Sequence, residues 1–556
     1  MNNNPILTGF HADPCICKKE NEYYLAVSSF EWFPGVPVYH SKDLKNWELI
    51  TNILSDESKF DLRKLPSAKG IWAPCLTYDG QTDLFYLVYG VMNSMNGRYF
   101  DVDNYLITAS EITGPWSEPE YIHSSGFDAS MFHDEDGRKY IVNLEWETRD
   151  DYTKPGRIVL CEYDSKKGMI GYPKPISEGS TKRGCMEAPH IYKKNGWYYL
   201  MLAEGGTGYY HSVTMARSKN IWGPYESDSE NPIVTNVEAN YDERMDTNHL
   251  KPHYFNPSSY LQKSGHGSIV ETQKGETFLF HLCSRPFLPE LRCTLGRETA
   301  MQKMEWNEDG WLRLFDGTKL AKKELPEVDL PEVKCPPVIE KDDFDQAELG
   351  LFYYAPRISP KSFTNLTERK GYLRLRGQES ACSLNRFSFL ARKLTSTYMT
   401  AECKMDFKPT HYQHSAGLML YYDNMNYVFL RKYYSDTLKS EALIVTQFEN
   451  GVRTEHKDSQ IAASDCEIYF RLEIRGRNAR FFWSVDNEKY HPIARKFDTS
   501  KYSDEYCKFG EFTGAFVGIA CVDSLFHRQY ADFDYFNLCQ EEEPENWQQD
   551  LFDTIS

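Results

Sequence analysis

The chain has 556 residues, enough for roughly two to four domains, so burying a sizeable core is not in question. Its 63 Lys and Arg stand against 81 Asp and Glu, and a formal charge of -18 excludes a surface built to neutralise nucleic-acid phosphates or to lie on anionic lipid; a neutral small molecule suits it better. Fourteen Cys without a CxxC pair, no leader pattern in residues 1–10 and no apolar run of membrane-spanning length predict a cytoplasmic protein with reduced thiols, without a disulfide framework or a cysteine-bound metal.

Along the first 320 residues a short aromatic segment recurs just after a polar turn. It appears as Glu22-Tyr23-Tyr24-Leu25, Asp83-Leu84-Phe85-Tyr86, Arg138-Lys139-Tyr140-Ile141, Gly196-Trp197-Tyr198-Tyr199 and Glu276-Thr277-Phe278-Leu279. Three of these units continue into a tryptophan turn, ending at Trp47, Trp116 and Trp222. Gly, Pro, Asn and Asp interrupt nearly every window before apolar residues can recur at helical spacing. A strand-and-turn unit repeating every 55 to 80 residues or so is what radial repetition of small sheets produces. The spacing therefore predicts an all-β fold: a five-bladed β-propeller over 1–324.

Residues 325–342 break into a Pro- and charge-rich stretch that reads as an extended linker. From 343 to 540 alternating runs such as Gly371-Tyr372-Leu373-Arg374-Leu375-Arg376 and Ile468-Tyr469-Phe470-Arg471-Leu472 predict antiparallel strands and a C-terminal β-sandwich. Residues 541–556 are acidic and polar and read as a surface tail.

Three acids stand out by their place. Asp13 in Gly9-Phe10-His11-Ala12-Asp13-Pro14, Asp128 in Gly126-Phe127-Asp128-Ala129 and Glu187 in Cys185-Met186-Glu187-Ala188-Pro189 each fall a short step before an aromatic segment. Equivalent positions of successive blades converge on the propeller axis, so the three are expected to meet in one pocket. With Asn4-Pro5-Ile6-Leu7, Ser29-Phe30-Glu31-Trp32-Phe33-Pro34-Gly35, Ile71-Trp72-Ala73-Pro74, Gly265-His266-Gly267-Ser268, Gly296-Arg297-Glu298-Thr299-Ala300, Phe512-Thr513-Gly514-Ala515-Phe516 and Ala531-Asp532-Phe533-Asp534-Tyr535-Phe536, these segments make nearly the whole chain resemble glycoside hydrolase family 43, in particular its two-domain β-xylosidases.

That resemblance implies an inverting hydrolase releasing xylose from the non-reducing ends of β-1,4-xylo-oligosaccharides. Asp13 matches the general base, Glu187 the general acid and Asp128 the acid that orients the donor and raises its pKa. Phe30, Trp72, Phe127 and Trp146 match rings lining the sugar pocket, though each could simply pack a blade. Thr207 and Arg297 match groups near the sugar hydroxyls, and Phe512 a wall supplied by the sandwich rather than part of its core. His266 matches a histidine that contacts substrate or, in part of the family, calcium. Imidazole is a poor calcium ligand, so no cofactor is required on this reading. Cys15 departs from the family's commoner Ser after Asp-Pro; an inert buried thiol is the plain reading.

An α-L-arabinofuranosidase or bifunctional enzyme is the nearest alternative, and a non-catalytic carbohydrate-binding propeller the alternative from another class. The retaining, invertase-type relative is disfavoured because its Asn-Asp-Pro-Asn pattern is absent at His11-Ala12-Asp13-Pro14-Cys15. Oligomeric state stays open, a homo-oligomer included.

Overall fold

The aromatic segments that repeat in the sequence occupy one structural position. The computed structural model describes residues 3–152, 154–243, 248–463 and 467–553. In it these segments lie in Glu22–Ala26, Leu84–Asn96, Lys139–Trp146, Trp197–Glu204 and Thr277–Ser284, each the second strand of its own antiparallel sheet. The first strands are Cys15–Lys19, Gly70–Asp79, Ser130–His133, Glu187–Lys194 and Gln262–Glu271. Each first strand lies against that of the next sheet, and the fifth returns to the first, so the sheets close as five blades about an axis. The tryptophan turns follow third strands, where Trp47 Nε1 donates to Leu44 O (2.9 Å) and Trp116 Nε1 to Ile112 O (3.1 Å). Closure is fastened by the N-terminal segment: the Asn4 side chain donates to Met301 O and accepts from Met301 N, both at 2.9 Å.

No strand forms in 325–340, but Leu325, Val328 and Leu330 pack on the first and fifth blades, so this stretch hugs the propeller. From Lys341–Asp342 to Tyr530–Gln540 an eight-stranded and a six-stranded antiparallel sheet form the sandwich. In the smaller sheet, Leu418, Leu420, Val517 and Ile519 belong to the sandwich core, whereas Met419, Tyr421, Phe516 and Ala520 belong to a cluster shared with the propeller. Alternate residues face opposite sides of a strand. A sheet covered on both sides reads as unbroken apolar runs, which is the pattern at 416–422.

The two parts are fused along this sheet. Trp32 stacks on Phe516 at 3.5 Å, Trp32–Phe33 pairs with Ala355–Pro356, and buried Lys263 of the fifth blade pairs with Glu505 at 2.5 Å. Two glycines permit the closest approach: a Cβ on Gly296 (φ 76°) would sit 2.1 Å from Thr513 O, and one on Gly514 would sit 2.5 Å from Leu295 O.

The segment after 540 refines the expectation of a surface tail, as far as residue 553; residues 554–556 lie outside the described residues. Trp547 is 2 % exposed, edge-on to Phe287 and against the Arg285 guanidinium. Glu543 pairs with Arg285 at 2.6 Å, and Leu288 N donates to Gln548 O at 2.7 Å. The acidic segment thus lies on the surface but is docked there through the Trp547 ring. Among the described residues no helix is long and apolar enough to cross a membrane.

Candidate active site

At the head of each first strand one residue adopts left-handed backbone: Asp13 (φ 54°), Ala73 (38°), Asp128 (55°), Ala188 (49°) and His266 (47°). Outside glycine this conformation costs roughly 1 kcal/mol or more, and strain of this kind persists where surrounding structure enforces it. All five line one axial pocket. Asp13 and Asp128 thus hold the same position in blades one and three. Glu187 does not, which corrects the expectation of a shared position. It precedes Ala188, and so corresponds to Trp72 and Phe127, with the strand register slipping between Glu187 and His190. The Glu187 carboxyl still lies close enough to Asp13 and Asp128 to interact with both.

Each acid has a distinct environment. Asp13 Oδ2 accepts from Ser28 Oγ (2.6 Å), which itself accepts from Ala73 N (2.8 Å), and His266 Nδ1 lies 3.4 Å from Asp13 Oδ1. Asp128 Oδ2 accepts from Ala188 N at 3.0 Å. Burial, then the charges of Glu187 and Asp13, push the Asp128 carboxyl well above the usual carboxylate range. Burial and then Asp13 lift Glu187 to about 7, against the opposing pull of Arg297 and Lys251. The chief like charge acting on Glu187 is therefore that of Asp13. Asp128 and Glu187 also act on each other, since the Glu187 charge is the second cause of the upward shift at Asp128.

A chain of rings packs along blades one to three. Trp72 lies 5.9 Å from Phe30 and 5.7 Å from Phe127, and Phe127 lies 5.6 Å from Trp146. Trp146 stacks on Phe100 at 4.1 Å and donates to Arg98 O at 2.9 Å, placing it at the outer end of the row. Phe512 comes from the sandwich, yet it touches Phe30 (6.1 Å) and Trp72 (5.6 Å), and the Arg297 guanidinium lies 4.3 Å from its ring. It packs the propeller's aromatic wall and not the sandwich interior.

Arg297 is 4 % exposed, and its Nε and one terminal nitrogen lack a hydrogen-bond partner among the described residues, Asp504 standing off at 3.7 Å. Buried guanidinium nitrogens without acceptors are suited to a ligand's hydroxyls. Thr207 is half-buried in the turn after Glu204, and among the described residues no hydrogen bond ties it to the acids.

Two groups near Glu187 were missed in the sequence. His211 Nε2 lies 3.9 Å from Glu187 Oε1 and has no hydrogen-bond partner among the described residues. Its Nδ1 donates to Lys263 O (3.1 Å), and burial drops its pKa well below the ordinary value, so a neutral ring presents an acceptor to Glu187. Lys251, 1 % exposed with φ 47°, sends a charge toward the same carboxylate from a loop without a repeat signature.

His266 is likewise held neutral, its pKa lowered to about 4 chiefly by burial. Asp13 Oδ1 lies 3.4 Å from its Nδ1, and Asp128 and His190 line the same void.

The profile of Glycosyl hydrolases family 43 matches residues 2–312. The chain belongs to this family. A second profile, the Beta xylosidase C-terminal Concanavalin A-like domain, matches 341–538. The chain is 40% identical to the Beta-xylosidase of Bacillus subtilis (strain 168), covering 96% of this chain and 98% of that one. It is 39% identical to the Xylosidase/arabinosidase 43B of Humicola insolens, over 96% of each. Among solved structures, the xylan beta-1,4-xylosidase from Bacillus Halodurans C-125 superposes with a TM-score of 0.91 at 41% identity, over 97% of this chain and 100% of that one.

Proposed function

We propose that this family 43 hydrolase removes xylose from the non-reducing ends of β-1,4-xylo-oligosaccharides with inversion, Asp13 acting as base and Glu187 as acid. The observation that carries the reading is the gathering of Asp13, Asp128 and Glu187 at the propeller axis, where burial and then the Asp13 charge raise the Glu187 pKa to about 7. A carboxyl that titrates near neutrality suits the general acid of such a hydrolysis.

In the reaction, Glu187 passes its proton to the glycosidic oxygen as the bond from that oxygen to C1 breaks. Asp13 takes a proton from a water that attacks C1 on the opposite face, and the new C1–O bond forms with inverted configuration. Asp128, held by Ala188 N, orients Glu187 and helps keep it protonated. Ser28 and His266 hold Asp13, Arg297 takes sugar hydroxyls, and Trp72, Phe127 and Phe30 present ring faces to the pyranose. No step is routed through a metal. Phe512 narrows the mouth so that only a chain end enters.

The Humicola insolens relative's name joins xylosidase with arabinosidase, and a pentofuranose resembles a pentopyranose in outline, so α-L-arabinofuranosidase is proposed as a second activity of the same pocket. The ratio of kcat/KM on aryl β-xyloside and aryl α-L-arabinofuranoside measures it. A reducing, cytoplasmic setting is supported by buried, unbridged thiols such as Cys283 and Cys521. The decisive experiment is the time course on xylohexaose: xylose with successively shorter oligomers is expected, and early mid-length products refute exo-action.

A further inference from the structure

Two residues beyond the left-handed positions, each first strand presents a second equivalent position: Cys15, Cys75, Ser130, His190 and Ser268. Cys15, Cys75, Ser130 and His190 border the same small axial void as Asp13, Asp128 and His266. Three of the five join blades through hydrogen bonds, among them Cys15, whose Sγ donates to Leu76 O at 3.5 Å, a bond that metal binding would replace. Ser130 Oγ donates to Pro189 O at 2.5 Å, and Ser268 Oγ donates to Pro14 O at 2.9 Å while accepting from Ile16 N at 3.0 Å.

Cys15, Cys75 and His190 bring soft donors together. The sulfurs of Cys15 and Cys75 and a ring nitrogen of His190 lie within 4.8 Å of one another, from residues 60 and 115 positions apart in the chain. Both thiols are buried, at 4% and 2% exposure, and border an axial void of about 10 Å³, room for a single atom-sized guest. Around a zinc ion with Zn–S near 2.3 Å and Zn–N near 2.0 Å, such donors stand roughly 3.5 to 4 Å apart, so a small inward movement closes the set.

We propose that Cys15, Cys75 and His190 form a binding site for one soft d10 cation, of the zinc or cuprous class, on the propeller axis beside the active site. Binding breaks two S–H bonds and releases two protons to solvent as two metal–sulfur bonds form; no redox change is involved. Hard cations such as calcium are excluded by the donor set. Because the ligands sit on the first strands of blades one, two and four, the ion ties together the strands that carry Asp13 and Glu187.

The test uses the full-length, reduced, chelator-stripped protein titrated with zinc against a chromophoric competitor, with metal per chain counted after desalting. One zinc per chain is expected, and the thermal midpoint should rise on loading. Cys75→Ser and His190→Gln should each weaken binding roughly 100-fold or more, and Cys17→Ser, which alters a buried thiol outside the set, should not. Serine is a fair replacement because the chain already places it at two of the five positions. Zinc lost on desalting from the unaltered protein, or retained equally by the Cys75 and His190 variants, would overturn the proposal.

Discussion

Glu187 is lifted from 4.5 to about 7, chiefly by burial and then by Asp13, and this displacement should be visible in stability as well as in rate. In the unfolded chain the same carboxyl titrates near its ordinary value. A group whose folded pKa is raised contributes stability that is fully present below its unfolded pKa and lost as pH climbs through its folded pKa. For Glu187 the window therefore runs from about pH 4.5 to about pH 7. At 1.36 kcal/mol per pH unit, the displacement amounts to roughly 3 kcal/mol of destabilisation once Glu187 is ionised. Glu187→Gln keeps the shape and removes the charge. It should be more stable than the parent at pH 8 by about 1 to 3 kcal/mol, and the gain should fade toward pH 4.5. Calorimetry at several pH values reads the difference, alongside kcat/KM, whose alkaline limb in the parent should fall tenfold per pH unit above about 7. A stability difference independent of pH, or a Gln variant less stable at pH 8, would refute the electrostatic reasoning.

Phe512→Ala should raise KM for xylobiose about 5- to 150-fold, corresponding to about 1 to 3 kcal/mol of lost apolar contact, with kcat little changed. An equal loss in kcat would mean that the ring acts on the acids and not on the sugar. Rapid NMR of the first sugar released from a β-xyloside should show α-xylose, because water is activated directly; initial β-xylose would demand a nucleophile.

What could be read from the sequence followed from repetition. Asp13 and Asp128 were legible because the blades repeat the same strand head, and the aromatic segments marked the second strand of each sheet. The one-residue offset of Glu187 was not legible, since the position of the left-handed residue in each blade has no fixed side-chain signature: Asp, Ala and His all occupy it. His211 and Lys251 act on Glu187 only through the fold, from a strand start and a loop without a motif. Cys15, Cys75 and His190 match no ligand spacing because a five-fold axis, not a local turn, assembles them. Residues 541–553 do lie at the surface, but charge counts say nothing of the docking of Trp547 that fastens them there.

The central claim, that Glu187 gives the proton and Asp13 activates the water, is tested most directly by leaving-group dependence. Asp13→Asn and Glu187→Gln are each assayed on xylobiose and on an aryl xyloside whose leaving group needs no proton. Both variants should lose several orders of magnitude on xylobiose while remaining folded. Glu187→Gln alone should recover much of its rate on the aryl substrate, because only the proton donor has become dispensable. Near-native hydrolysis of xylobiose by either variant, or recovery by Asp13→Asn in place of Glu187→Gln, would contradict the assignment.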